Sequence, residues 1–135
     1  MAVVWPDIEA LLISAAKPLF AARTEPYAAG VHVSNKMPTL PNGTPIRKDR
    51  MVIIRDDSGN QLDVVRDLVR VGVQFWGPTR EDAKDLAELG RALFNSMAGT
   101  GPIKKIKCTL RPVFVEDAQP FFYATFELIV KGRNL

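Results

Sequence analysis

From Val69 to Phe75 every second residue is apolar, with Val69, Val71, Val73 and Phe75 on one side and Arg70, Gly72 and Gln74 on the other. A period of two belongs to a β-strand, and strict alternation to a strand buried on one face only. The pattern returns near the end of the chain, where Phe122, Ala124, Phe126, Leu128 and Val130 alternate with Tyr123, Thr125, Glu127 and Ile129. Any fold that accepts both runs needs a sheet whose apolar face is covered by something else.

Two stretches with helical spacing can supply the cover. Pro6 suits a first helical position, and Asp7 and Glu9 place carboxylates near the positive end of the helix dipole. Ile8, Leu11, Leu12, Ala15 and Leu19 then share one face, and Pro18 is expected to end or kink the helix at the residue before it. Further on, Thr79 with Asp82 three residues later approximates a capping box. Ala83, Leu86, Ala87, Gly90, Leu93, Phe94 and Met97 form a stripe that Gly99 and Gly101 terminate.

The remaining apolar runs read as strands. Val31 and Val33 alternate with His32 and Ser34 between Gly30 and Asn35. Arg50 to Asp56 and Leu62 to Trp76 form a hairpin turning at Asp57-Ser58-Gly59-Asn60, the second strand interrupted near Arg66 and Asp67. Ile106, Cys108, Leu110 and Phe114 alternate with Lys105, Lys107, Thr109 and Arg111, and a polar turn from Glu116 to Pro120 leads into the last strand. Between Lys36 and Asp49, Pro38, Pro41, Asn42, Gly43 and Pro45 exclude a regular element and leave a loop of about 14 residues, a length usually functional or disordered.

This order predicts an α+β fold: a single, mainly antiparallel twisted sheet of about five strands, with two helices packed on one face. The expected core comprises Ile8, Leu11, Leu12, Val71, Val73, Leu86, Leu93, Phe94, Leu110, Phe126 and Leu128. A chain of 135 residues is expected to form one domain, with a core that needs no metal or disulfide. The lone Cys108 has no internal partner, which suits a reducing compartment. The first residues lack the pattern of a signal peptide and no apolar run has the length of a membrane span, so the expectation is a soluble protein made in the cytoplasm.

Residue by residue, catalytic chemistry finds little support. His32 is the only histidine and has no nucleophile near it in sequence, so it reads as a polar-face strand residue. Cys108 falls on the apolar side of its strand and reads as a small core hydrophobe. The run Asp56 to Asn60 has the wrong ligand spacing for a calcium loop, and Gly99-Thr100-Gly101 follows a helix instead of opening one as a phosphate loop must. No cofactor, metal or catalytic group is expected, and the protein is not expected to be an enzyme. A net charge of +3 is far short of the footprint of a dedicated nucleic-acid binder.

What the residues do offer is contact surface. Within the long loop Met37, Leu40 and Ile46 are candidate apolar contacts, and Lys36, Arg47, Lys48 and Arg50 candidate orienting charges. Lys104, Lys105 and Lys107 form a second basic cluster, whose plain alternative is a solvated face. Trp76 is an interface anchor or a cap on the core.

Three stretches resemble the tail terminator, or minor tail assembly, proteins of long-tailed bacteriophages of actinobacteria. They are residues 5 to 12, opening Trp5-Pro6-Asp7; residues 30 to 38, with Val31-His32-Val33 and Met37-Pro38; and residues 71 to 83, with Phe75-Trp76-Gly77-Pro78. The resemblance implies a virion protein at the head-proximal end of the tail. There a homo-oligomeric ring, a hexamer in such proteins, binds the tail-tube protein, stops its polymerisation and meets the head–tail connector protein. No membrane is involved, and DNA is only passing cargo. A neck or head-completion connector of the same phage class is the alternative, and a small nucleic-acid-binding domain a further one.

Overall fold

In a computed structural model, which describes residues 2–46 and 48–135, the chain is α+β. Two-residue strands β1 (Val3–Val4) and β7 (Arg133–Asn134) pair antiparallel and bring the two ends of the chain together. Between them come α1 (Ile8–Ala21), a 3-10 turn at Pro26–Ala28, β2 (His32–Ser34), β3 (Met51–Gln61), β4 (Arg66–Trp76), α2 (Arg80–Asn95), β5 (Ile103–Val115) and β6 (Phe121–Lys131). The main sheet has the order β2-β3-β4-β6-β5, antiparallel throughout except for the β2–β3 pair, which is parallel.

Both helices pack on the same face of this sheet, as the alternation requires. α1 covers β2 and β3, and α2 covers β4, β5 and β6. The Asp7 carboxylate caps α1 by accepting from the Ala10 N–H at 3.1 Å, and Thr79 Oγ1 caps α2 by accepting from Asp82 N–H at 3.1 Å. The core is centred on Phe94, which meets Phe75 edge-on at 6.4 Å and stacks on Phe126 at 5.1 Å. Leu12, Phe20, Ile54, Leu86, Met97, Ile103 and Leu128 are among its other fully buried side chains.

Several expectations need correction. Helix α1 starts at Ile8, which leaves Pro6 outside it, and it continues through Pro18 to Ala21 because burial of Ala16 and Phe20 holds its last turn on the core. The hairpin turn lies at residues 62–65, beyond Asp57-Ser58-Gly59-Asn60. That run stays in β3 as a bulge, its register shifting between Asp56 and Ser58, with Ser58 at φ 120°. Asp63 makes the actual turn, its Oδ1 accepting from the N–H groups of Val65 and Arg66 at 2.9 and 2.8 Å. Arg66 and Asp67 therefore belong to the ladder and do not interrupt it.

Three members of the expected core are displaced. Leu110 is 39% exposed because β5 shifts register between Cys108 and Leu110, which carries Leu110 out of phase with the residues before it. Leu11 and Leu93 are half-buried and pack at the margin of the core. The sheet face away from the helices is not uniformly polar either: Met51, Ile53, Trp76 and Phe121 form a second buried cluster there, at one end.

Candidate functional site

The second cluster organises the candidate interface. Met51, Trp76, Phe121 and Val115 lie side by side across β3, β4, β6 and β5, forming one row of the face opposite the helices. Trp76 is 3% exposed, stacks on Phe121 at 4.2 Å and donates its indole N–H to Gln74 Oε1 at 3.1 Å. Its burial in the single chain is what the cap on apolar packing calls for.

What shields this row is the connection from β2 to β3. Parallel neighbours demand a crossover, and Met37 from that crossover packs on the cluster. The loop is not the irregular segment its prolines suggest. Thr39 and Pro45 form an antiparallel bridge. The Leu40 N–H donates to Thr44 O at 2.8 Å, Gly43 N–H to Leu40 O at 2.9 Å and Ile46 N–H to Pro38 O at 2.7 Å. Asn42 Oδ1 accepts from Thr44 N–H at 3.1 Å and stabilises the turn. Proline needs no N–H partner, so this small hairpin satisfies its backbone almost locally.

Its far end is tied down as well. The Gln119 amide of the β5–β6 turn donates to Lys48 O at 2.9 Å and Asp49 O at 3.0 Å, joining the loop to the opposite side of the row. Arg50 is half-buried and faces Asp82 at 3.7 Å, so it braces the start of α2 instead of offering a free charge. On the loop, Lys36 and Lys48 are exposed, Leu40 is 46% exposed at the hairpin, and Ile46 is half-buried. Arg47 lies outside the described residues.

The second basic cluster does not join this surface. Lys104, Lys105 and Lys107 are exposed on β5, where Lys105 is in register with Ile129 and Lys107 with Glu127. Eight residues of β6 separate Ile129 from Phe121, about 26 Å at roughly 3.3 Å per residue, so the two basic groups sit at opposite ends of the sheet. Sequence proximity of charge said nothing of this separation.

Burial is the first influence on both titratable residues singled out in the sequence. Burial pushes the Cys108 thiol above its ordinary range, and Arg91 beside it opposes that shift without reversing it, so the neutral thiol prevails at pH 7. His32 is held below the usual histidine value by burial first and by the Lys48 and Lys17 cations second. Among the described residues no group of three or more His, Cys, Asp or Glu is arranged to hold a metal ion, and no helix is long and apolar enough to cross a membrane. One contact that sequence reasoning missed is Glu9. Its carboxylate accepts from Asp56 N–H at 2.8 Å and from the Asn35 amide at 2.9 Å, and so pins α1 to β3 and to the exit of β2. No model of a known protein family matches this chain, and neither does the sequence of any curated protein.

Proposed function

We propose that this protein is a structural component of a phage virion: a ring-forming tail terminator that caps the tail tube, stops its polymerisation and presents a surface for head joining. The observation that carries this reading is the preformed hairpin around Thr39 and Pro45, which displays Leu40 between the exposed Lys36 and Lys48. An internally bonded hairpin with an apolar residue on display loses little entropy on docking, the property wanted in a contact element of an assembly. The resemblance at residues 5 to 12, 30 to 38 and 71 to 83 supports the same reading, because all three stretches serve the framework of that surface: the start of α1, β2 with its exit, and β4 running into α2.

Closure into a ring asks for unlike surfaces that meet head to tail. The main sheet has such unlike borders, since β2 is a three-residue parallel strand and β5 a thirteen-residue antiparallel one. The direct test mixes the purified protein with polymerising tail-tube protein and measures tube length by electron microscopy. Capping yields short tubes with a ring at one end. Tubes of unchanged length, or a twofold dimer as the largest species by mass measurement, would remove the proposal.

A further inference from the structure

On the helix side of β5, away from the hairpin, a groove of about 410 Å³ runs between α2 and the bulged part of the strand. Arg80, Lys84 and Arg91 line it from α2 and Arg111 from β5, against one carboxylate, Glu88. That carboxylate already faces Arg91 at 3.8 Å. Neither Lys84 nor Arg111 has an ion-pair partner among the described residues. The floor is apolar: near the end of β5, Phe114 lies beside Phe122 on the helix side and is 37% exposed.

From this combination we infer that the α2–β5 groove is a docking site for a short acidic segment of a partner protein, with one apolar side chain packed against the part of Phe114 that remains exposed. Charge complementarity sets the sign of the occupant, since the groove carries an excess of cations at close quarters and two of them are unmatched. Geometry sets its kind. A base would need an open aromatic face, but Arg80 lies over the Phe114 ring at 5.0 Å and Phe122 stands against it at 5.5 Å, so the ring offers no stacking platform for nucleic acid. Nor does the border invite an added strand: β5 shifts register three times and includes Pro112, which has no N–H to give. Side chains, not a β-ladder, would hold the partner. This assignment stands apart from the tail-capping reading and survives its failure.

The test is fluorescence anisotropy on the full chain with three probes: a labelled octapeptide of glutamates with one central phenylalanine, the same peptide with glutamine for glutamate, and a single-stranded oligonucleotide of equal charge. The acidic peptide is expected to bind, and its affinity to fall about tenfold between low and physiological salt. The double variant Lys84→Glu, Arg111→Glu should weaken it by about tenfold or more, whereas Lys105→Glu with Lys107→Glu, towards the other end of β5, should leave it unchanged. Equal loss in both variants would reduce the effect to net charge. Tighter binding of the oligonucleotide, no binding of the acidic peptide, or self-association that the groove variant alone abolishes, would each overturn the assignment in favour of nucleic acid, no ligand or a second copy.

Discussion

Two glycines show how single residues set the packing. Gly90 sits mid-helix, where glycine is about 1 kcal/mol worse than alanine, yet a Cβ there would lie 2.7 Å from Phe75 Cζ and closer still to Cε1. Phe75 is fully buried and cannot move aside, so Gly90→Ala is expected to destabilise by about 1 to 3 kcal/mol despite its better helix propensity, as denaturant titration would show. Gly72 leaves room for the Tyr123 hydroxyl to donate to Asp57 Oδ2 at 3.0 Å across β4. A Cβ at Gly72 would come 2.6 Å from that carboxylate oxygen. Gly72→Ala should therefore cost about 1 kcal/mol in the native background and much less in Tyr123→Phe, where the hydrogen bond is already gone. His32 provides a pH signature. Its folded value is depressed, so the unfolded chain binds the proton first: stability is complete above about pH 6.5 and declines as pH falls through the folded value. His32→Gln should remove this part of the slope below about pH 7 in pH-dependent thermal melts.

At the scale of elements, Pro18 is the sharpest case. It is exposed inside α1, where it withholds an N–H from the helix ladder, and the chain tolerates it because Ala16 and Phe20 bury on either side. Pro18→Ala is expected to raise stability by about 1 to 3 kcal/mol in denaturant titration, and no gain would show that the residue shapes the packing of Phe20. The same element explains what the sequence could and could not reveal. Periodicity was most informative where the pattern is unbroken, which is why the apolar faces read for α2, β4 and β6 are the ones turned to the core, with Leu93 at its margin. It failed where backbone irregularity changes the phase without changing composition. The shift after Cys108 carries Leu110 outward, and the bulge at Ser58 keeps turn-forming residues inside a strand. Tertiary ties were equally hidden: nothing local to Glu9 or Gln119 announces that they bond to β3 and to the Lys48–Asp49 backbone. The candidate surface was legible as a loop rich in turn formers, but its hairpin structure was not, and the sequence left Trp76 open between an interface anchor and a cap on the core.

For the whole molecule, the question is whether the hairpin at residues 39 to 45 is a connector or a contact, and its geometry allows the two to be separated. The Ile46 N–H and Pro38 O are 2.7 Å apart, so the ends of the hairpin already meet, and replacing residues 39 to 45 by Asn-Gly should close the chain without moving β2 or β3. Met37, on the near side of the cut, would still cover the Met51, Trp76 and Phe121 cluster. The shortened protein is therefore expected to keep its far-UV circular dichroism and to melt within a few degrees of the native chain. If the hairpin is a contact, the same protein should no longer cap: tubes would grow overlong and joining to heads would fail. A milder variant, Leu40→Ser, should weaken capping in the same direction, since it removes the exposed apolar group without touching the backbone bonds. Normal tail length and head joining in the shortened protein would reduce the loop to a crossover between parallel strands, and the docking surface would have to be sought elsewhere on the sheet.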